Sequence, residues 1–367
     1  MTPNPAGSPM PQQRRPARAR LLLTGTAAIG LALAAGCSSG GGSGTGPVSG
    51  IITIAAVPSV DDAPLWLAKD HGLFSAAGLN VQINTVSSDA AAVTEVEDGQ
   101  AQIAASDYGN ILAYQASAAG SAKPLYLLAD GYDAGTGNVE ILVHPGTNSI
   151  TNPAHLADTT IGIPSQLTID ANAVSATDAS PATTVPRGFP SSLDAVAASE
   201  EISDYLLDAP LSLKWKPMSE QQEVSALKSG ALKAALLTQP YVYEAEAEFG
   251  AVELTDVFSG QTANMPLSGY VAADTWAEHN SQAVADFKSA IANAQTQAST
   301  VGPIQRTLKG ALGVTEADAD LMSLGTYPTT ISSEEISRVA TLVQSARVVA
   351  VNTAGFLNSL LTLPTKS

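Results

Sequence analysis

The sequence predicts an α/β protein with two lobes, and three observations support this fold class. Short apolar segments typical of buried strands alternate with amphipathic segments typical of helices. Roughly 300 residues follow position 50, which is more than a single hydrophobic core usually holds together. The chain is 45% hydrophobic but only 5% aromatic, a composition that indicates an Ala-rich globular protein and not a disordered one.

The first 36 residues have the charge pattern of an export signal. Four arginines and no acidic residue occur in residues 1–20, and the apolar segment 21–35 follows. This segment is shorter than the ~20 apolar residues that span a ~30 Å hydrocarbon core, so a permanent transmembrane helix is the weaker interpretation. Residues 1–36 are therefore predicted to be a signal peptide.

Cys37, the only cysteine, comes directly after this segment. The preceding Leu33-Ala34-Ala35-Gly36 resembles a bacterial lipobox, although the leucine lies four residues before the cysteine and not the usual three. The resemblance implies that the thiol is acylated and anchors the chain to a membrane. The alternative is a secretory signal that a lone cysteine follows by chance. Residues 37–50 are rich in Gly and Ser, which predicts a flexible tether.

The elements after the tether begin with a strand and a helix. Ile51–Val57 is an almost continuous apolar run, as expected of a strand buried on both faces. Pro64–Ala77 predicts a helix, because Asp61 or Asp62 can cap it and Pro64 suits its first turn. The next predicted elements are the strand Leu79–Asn84, the helix Ser88–Asp98, the strand Ala101–Ala105, the helix Asn110–Ala119 and the strand Pro124–Ala129.

The same alternation continues to the C-terminus. Repeated β-α-β units of this length imply a mainly parallel sheet with helices on its faces. The chain ends in helices, one of which has Ser332 and Glu335 as a capping box. We predict that residues 51–138 and 264–367 form lobe 1 and that residues 139–263 form lobe 2. Further strands are predicted at Val139–Val143, Thr160–Ile163, Leu211–Trp215, Ala234–Leu237, Ala251–Leu254 and Ser268–Ala273.

Several short motifs occur in an order that is typical of one protein family. The stretch Val60-Asp61-Asp62-Ala63-Pro64-Leu65-Trp66-Leu67-Ala68 is followed by His71-Gly72-Leu73-Phe74 and Gly78-Leu79-Asn80-Val81. Later landmarks include Glu97-Asp98-Gly99-Gln100, His144-Pro145-Gly146, Ile161-Gly162-Ile163-Pro164, Gln239-Pro240-Tyr241 and Gly269-Tyr270-Val271. In this order the chain resembles the SsuA/THI5-like (NMT1) family of periplasmic binding proteins. The resemblance implies a type II periplasmic-binding-protein fold, in which a hinge of crossing strands lets two α/β lobes close on a ligand.

The chain departs from the family pattern in the second lobe. Ser175–Ser192 is a long Ser, Thr, Ala and Pro-rich passage where the family has a short helix that faces a phosphate or sulfonate. Lys233 stands where an aspartate is common. Both departures leave the identity of the ligand open.

Ligand-binding residues are predicted at strand ends, since open α/β sheets hold ligands beyond the carboxyl ends of their strands. The side chains at these positions suit a compact ligand with a ring to stack and amines or amides to bond. The predicted residues are Ser59, Asp61 and Asp62 after the first strand, Ser106, Asp107 and Tyr108 after the third, Tyr132 and Asn138 with Asp133 around the crossing, and Ser165, Gln166, Gln239 and Tyr241 in lobe 2.

Some of these side chains also have an ordinary structural interpretation. Asp62 is equally well interpreted as a helix N-cap, and Ser106 and Asp107 as caps of the helix that follows them. Tyr132 and Tyr241 are compatible with packing in the core as well as with stacking on a ligand.

The charge of the chain excludes some partners. It has 17 basic and 34 acidic residues and a formal net charge of −17, and loss of the four signal arginines makes the mature protein more acidic still. Such a surface repels nucleic acid. Sulfonate or nitrate receptors need arginines or helix N-termini directed at the anion, whereas the predicted ligand loops are acidic and Arg187 is the nearest basic candidate. A neutral or cationic nitrogenous ligand is therefore favoured over an oxyanion.

The sequence contains no motif that predicts catalysis. The histidines His71, His144, His155 and His279 are scattered, without the H-E-x-x-H spacing of a zinc site, and no P-loop or G-x-G-x-x-G follows a strand. We therefore predict that the chain is not an enzyme and holds no metal or cofactor.

Together these observations predict a lipid-anchored, extracytoplasmic binding protein of an ABC importer. It is expected to be a monomer that captures a pyrimidine-like or amine ligand between its lobes and delivers it to a permease with ATPase subunits. Three alternatives remain open: a sulfonate- or nitrate-type receptor of the same family, a metabolic enzyme on the two-lobed fold, and a binding protein coupled to a membrane sensor. An enzyme would gain nothing from a lipid anchor, which is the feature that separates it from the receptors.

Overall fold

The computed structural model describes residues 50–118, 123–157, 159–165, 193–204, 213–300, 302–345 and 353–363. The predicted signal peptide, the predicted lipidation residue Cys37 and the predicted tether up to residue 49 lie outside the described residues, as do Gln166 and the passage Ser175–Ser192. Within the described residues, no helix has the length and apolar character needed to cross a membrane.

The described residues contain ten strands and thirteen α-helices. The strands are β1 (Ile51–Ala56), β2 (Asn80–Thr85), β3 (Ile103–Asp107), β4 (Leu125–Asp133), β5 (Val139–Val143), β6 (Thr160–Pro164), β7 (Lys214–Met218), β8 (Ala234–Thr238), β9 (Val252–Asp256) and β10 (Pro266–Ala273). The helices are α1 (Ala63–Asp70), α2 (Leu73–Ala76), α3 (Asp89–Glu97), α4 (Tyr108–Ala118), α5 (Leu193–Asp204), α6 (Glu220–Lys228), α7 (Tyr241–Phe249), α8 (Asp274–His279), α9 (Ser281–Ala298), α10 (Pro303–Leu312), α11 (Glu316–Ala319), α12 (Ser333–Ser345) and α13 (Thr353–Leu361).

The first sheet has the strand order β2-β1-β3-β10-β4. β1 pairs in parallel with β2 and β3, whereas β10 runs antiparallel to both β3 and β4. As a result, the carboxyl ends of β1, β3 and β4 lie at the same edge of the sheet as the amino end of β10, where Ser268 is opposite Asp107.

The second sheet has the order β7-β6-β8-β5-β9. β6 pairs in parallel with β7 and β8, and β5 runs antiparallel to β8 and β9. The start of β5 at Val139 is therefore opposite the end of β8 at Thr238. This sheet, like the first, brings the carboxyl ends of its parallel strands to one edge.

Two crossovers connect the sheets. The chain passes from β4 to β5 through residues 134–138 and returns from β9 to β10 through residues 257–265. The backbone N–H of Ala134 donates to the carbonyl of Met265 (2.8 Å), which holds the crossovers side by side, and the N–H of Val257 donates to the carbonyl of Val139 (3.1 Å). The arrangement confirms the predicted fold of two α/β lobes with crossing strands between them.

Aromatic packing fixes the first sheet against its helices. α9 is amphipathic and buries Phe287 and Ile291 on the face turned toward the sheet. The Phe287 ring stacks on Phe74 of α2 (centroids 5.9 Å apart) and meets the edge of Tyr270 on β10 (5.7 Å). This packing determines the position of β10, which begins at the edge where the two sheets meet.

Several predicted boundaries were wrong. The predicted helix Pro64–Ala77 is two helices, α1 and α2, because Gly72 has a φ of 67° and this left-handed conformation interrupts the helix. The predicted strand Leu211–Trp215 lies at Lys214–Met218 in the described residues; it includes a proline, which an edge strand such as β7 tolerates. The predicted strand Ala251–Leu254 begins and ends later, as β9.

Candidate functional site

A cavity of about 60 Å³ lies where the strand ends of both sheets meet. Its lining combines the ends of β1, β3, β4 and β8, the starts of β5 and β10, and the first turns of α3 and α5. The lining residues are Val57, Ser59, Val60, Asp61, Asp62, Asp89, Asp107, Tyr132, Asn138, Val139, Asp194, Thr238, Gln239, Leu267 and Ser268. The volume is large enough for several waters or the head group of a small molecule.

Three of the aspartates lie in the loop after β1 and in the first turn of α3. The Ser59 Oγ accepts from the N–H of Asp62 (3.2 Å), which shapes the loop after β1. Asp62 lies at the predicted N-cap position of α1, but its side chain makes no capping hydrogen bond to that helix. Ser88 caps a different helix, α3, by accepting from the N–H of Ala91 (3.2 Å), and this places Asp89 in the first turn of α3.

Asp107 connects the end of β3 to two helices. Its Oδ1 accepts from the N–H of Asn110 (3.1 Å) in α4, which agrees with the capping interpretation. Its Oδ2 accepts from the N–H of Leu193 (3.0 Å), the first residue of α5. Because one carboxylate ties α5 to β3, Asp194 in the first turn of α5 is held at the cavity.

The aspartates of the cavity hold their protons more strongly than exposed ones do. Burial raises the pKa of Asp61 and of Asp89 from 3.8 to about 7, and the charge of Asp89 adds to the effect on Asp61. The pKa values of Asp62, Asp107 and Asp194 are raised well above the usual range, first by burial and then by neighbouring carboxylates. No Lys, Arg or His occurs among the described lining residues, so none of them compensates this charge.

Seven of the predicted ligand residues line the cavity together. They are Ser59, Asp61, Asp62, Asp107, Tyr132, Asn138 and Gln239. The Tyr132 ring is fully buried against Tyr327, with ring centroids 5.1 Å apart, and its hydroxyl accepts from the N–H of Gly325. Tyr132 therefore acts mainly in packing, which was one of its two interpretations.

Other predicted ligand residues do not line the cavity. The Ser106 Oγ donates to the carbonyl of Asp89 (3.3 Å), and the Tyr108 hydroxyl donates to Asp130 Oδ1 (3.0 Å) in the buried interior. Ser165 is exposed and lies away from the cavity. Tyr241 lines a separate groove between α7 and α10, and Gln166 lies outside the described residues.

Sequence reasoning missed four polar lining residues. Asp89 and Asp194 follow helix starts instead of strand ends, and Ser268 lies at the start of an antiparallel strand. Thr238 is the last residue of β8, where its hydroxyl donates to Glu220 (2.7 Å). Thr238 directly follows the predicted strand Ala234–Leu237, so the rule of strand ends could have found it, whereas the other three lie at positions that this rule does not cover.

The described residues contain no group of three or more His, Cys, Asp or Glu side chains arranged to hold a metal ion. The carboxylates of the cavity therefore do not converge as metal ligands do. Arg187, the basic candidate from the sequence, lies outside the described residues.

The family model described as the NMT1-like family matches residues 47–307. No functionally curated protein matches the sequence. The match covers the first sheet, the second sheet, both crossovers and the cavity, and it agrees with the family resemblance that the motifs indicated.

Three solved structures show the same fold at low sequence identity. The periplasmic aliphatic sulphonate binding protein SsuA from Escherichia coli is 15% identical over 82% of this chain and 93% of its own, with a TM-score of 0.59. The periplasmic nitrate-binding protein NrtA from Synechocystis PCC 6803 is 12% identical over 85% and 86%, with a TM-score of 0.63. The CA3427 gene product of Candida albicans, described as having the generic periplasmic binding protein fold, is 11% identical over 86% and 96%, with a TM-score of 0.63.

Proposed function

The chain belongs to the NMT1-like family, and we propose that it is the extracytoplasmic solute-binding lipoprotein of an ABC importer. The proposed ligand is a small nitrogenous molecule, an amine or a pyrimidine-like heterocycle, that is bound and released without chemical change. Two of the structures with the same fold are described as binding proteins, which supports a binding role over a catalytic one.

The observation that carries the ligand class is the acidity of the cavity. Five aspartates line it, and the described lining residues include no basic side chain. An oxyanion there would meet carboxylates where it needs N–H donors, whereas a cation or a neutral donor-rich ring would be stabilised. SsuA and NrtA are described as binding sulphonate and nitrate, so the proposed ligand differs in charge from theirs.

The proposed mechanism is closure of two lobes on the ligand. We assign residues 51–138 and 264–367 to lobe 1 and residues 139–263 to lobe 2. The sheets support this assignment, because one sheet contains β1 to β4 and β10 and the other contains β5 to β9. The crossovers at residues 134–138 and 257–265 then serve as the hinge. A ligand that contacts both strand edges favours the closed form, which the permease recognises.

The proposed anchor lies at Cys37. Acylation of its thiol after removal of residues 1–36 would hold the protein on the outer face of the membrane, with residues 37–50 as a tether. Cys37→Ala should move the protein from the membrane fraction to the soluble fraction, and mass spectrometry of the wild-type N-terminal peptide should show the added lipid. A wild-type peptide without lipid would contradict the anchor and leave the binding role untouched.

The experiment that tests the binding role is a thermal-shift screen of the purified protein with amines, amidines, pyrimidines, sulphonates and nitrate. A ligand at 100 times its Kd stabilises the folded state by ~2.7 kcal/mol, which raises the melting temperature. We expect a rise with nitrogenous cations or heterocycles, with the ligand recovered unchanged by mass spectrometry. A rise only with sulphonates or nitrate would contradict the ligand class, and conversion of any ligand would contradict the binding-only role.

Deletion of the protein separates transport from sensing. If it feeds a permease, the deletion strain should lose uptake of the ligand found in the screen. If uptake persists while a response to the ligand is lost, the protein serves a membrane sensor instead.

A further inference from the structure

We infer that the ligand of this cavity carries a cationic nitrogen with several N–H groups, a primary ammonium or an amidinium, and that Asp194 is the residue that selects it. The inference rests on the proposed function and narrows its ligand from nitrogenous molecules in general to one chemical class.

Three buried polar atoms that line the cavity and can accept a hydrogen bond have no partner among the described residues. They are Asp194 Oδ1, Gln239 Oε1 and Ser268 Oγ, on side chains that are only 8%, 7% and 3% exposed. Buried polar atoms in folded proteins are nearly always paired. Three unpaired acceptors around one cavity therefore indicate that a bound molecule supplies the donors.

The three acceptors come from different elements around the cavity. Ser268 lies near the start of β10 in the first sheet, Gln239 follows β8 in the second sheet, and Asp194 lies in the first turn of α5. The amide Nε2 of Gln239 donates to the carbonyl of Gly137 (3.0 Å), which leaves its Oε1 as the free acceptor. An ammonium or amidinium presents N–H bonds in several directions and therefore suits acceptors that come from different elements.

Asp194 favours a cation over a neutral donor because a cation would stabilise the charged form of its carboxyl. Burial and the neighbouring Asp107, Asp61 and Asp89 make that charged form unfavourable in the empty cavity, and the cavity lining in the described residues offers no cationic side chain that would offset this. A hydroxyl or amide of the ligand would supply a hydrogen bond but no compensating charge. A cation supplies both, as charge-assisted hydrogen bonds do.

The cavity also does not suit a quaternary ammonium. Such cations have no N–H groups and are bound by exposed aromatic faces. Tyr132 is the sole aromatic residue among the described lining residues, and its ring is packed against Tyr327. A volume of about 60 Å³ also favours a compact head group over a trimethylated one.

Isothermal titration calorimetry of the purified protein tests this inference with four probes: ethylamine, acetamidine, ethyltrimethylammonium and sodium nitrate. The variant Asp194→Asn keeps the shape and one acceptor but removes the charge. Ser268→Ala removes the acceptor that β10 contributes. Asp70→Asn is the matched control, because Asp70 is exposed at the end of α1 and undergoes the same change of charge away from the cavity.

We expect ethylamine or acetamidine to bind to the wild-type protein and ethyltrimethylammonium not to bind. Asp194→Asn should weaken binding at least about thirtyfold, which corresponds to the ~2 kcal/mol lower limit for removing one partner of a buried charge pair. Ser268→Ala should weaken it by a smaller factor, and Asp70→Asn should bind like the wild type. Circular dichroism establishes that each variant is folded.

Equal binding of ethylamine and ethyltrimethylammonium, or unchanged affinity in a folded Asp194→Asn variant, would overturn the inference while leaving the proposed nitrogenous ligand intact. Binding of nitrate without binding of either N–H cation would overturn the inference and the proposed ligand class together. Failure of both N–H cations to bind at about 10 mM, ten times a Kd of 1 mM, would also overturn it.

Discussion

Replacement of Asp89 by asparagine should stabilise the unliganded protein at and above neutral pH and leave its stability nearly unchanged in mild acid. Asp89 lies in the first turn of α3 and lines the cavity. Its charge raises the pKa of Asp61, Asp62, Asp107 and Asp194. Removal of this one charge therefore relieves repulsion at four other buried groups.

The sign and size of the effect follow from proton binding. The Asp89 pKa of about 7 lies above its value of 3.8 outside the fold, because burial penalises the charged form. Between these values the folded state holds a proton that the unfolded state has lost, so the free energy of unfolding falls as pH rises. One such proton corresponds to ~1.4 kcal/mol per pH unit, or at most about 4 kcal/mol over the whole window. An uncharged asparagine avoids this loss of stability. It keeps only part of the backbone hydrogen bonding that lowers the Asp89 pKa, and this offsets part of the gain. We therefore expect Asp89→Asn to be more stable than the wild type by about 2 kcal/mol at pH 8.

The assay is urea denaturation followed by circular dichroism between about pH 5 and about pH 8 at constant ionic strength. The wild-type midpoint should fall with rising pH, and the fall should be smaller for Asp89→Asn. Asp70→Asn again serves as the control, since Asp70 is exposed and lies outside the cavity. The reasoning is refuted if the difference between the wild type and Asp89→Asn does not grow with pH, or if Asp70→Asn reproduces it.

Four further substitutions, one of them a control, test the packing of the protein. Gly325→Ala places its Cβ 1.9 Å from the carbonyl oxygen of Asp133, so thermal unfolding should show a loss of about 3 kcal/mol of stability. Gly310→Ala is the control: this residue lies in the exposed part of α10, its Cβ meets nothing within 4 Å, and the variant should gain up to ~1 kcal/mol of stability. Glu223→Met should raise the melting temperature, because Glu223 is fully buried with both carboxyl oxygens unpartnered and burial raises its pKa to about 10; a lower melting temperature would mean that the carboxyl is stabilised after all. Tyr108→Phe should cost about 1 kcal/mol in urea denaturation, since the hydrogen bond to Asp130 is lost, and an unchanged midpoint would show that this bond contributes nothing.

The fold was predictable because its strands carry their own signal. Ile103–Asp107 is fully buried and four of the six residues of Ile51–Ala56 are buried, so their apolar runs reflect strands covered on both faces. Boundaries were less accurate where backbone geometry or pairing decided them. Gly72 interrupts a helix that its neighbours favour, and Leu125–Asp133 extends beyond its apolar part because β10 pairs with it along its whole length.

The site was only partly predictable, for a reason of strand geometry. Successive residues of a strand point to opposite faces, so Asp107 lines the cavity and Ser106 does not, while Tyr108 already belongs to α4 and points into the interior. The direction of β10 and the position of α5 depend on contacts between distant parts of the chain, such as the bond from Leu193 to Asp107. These contacts cannot be derived from local sequence, and Ser268 and Asp194 were missed with them.

The electrostatics of the cavity connect its stability to its proposed function. In the proposed two-lobe mechanism, a cluster of carboxyl groups next to both sheets is costly when the lobes are closed and empty, and it is less costly when the lobes separate and water reaches the carboxyl groups. A bound cation reverses this preference, because it compensates the charge only where both strand edges contact it. Shifting a two-state population from mostly open to mostly closed requires about 5.5 kcal/mol of differential binding, and a buried charge pair contributes about 2–5 kcal/mol. One N–H cation with its charge and hydrogen bonds can therefore supply most of the closure energy, so we expect small-angle scattering to show a smaller radius of gyration with ethylamine for the wild type than for Asp194→Asn.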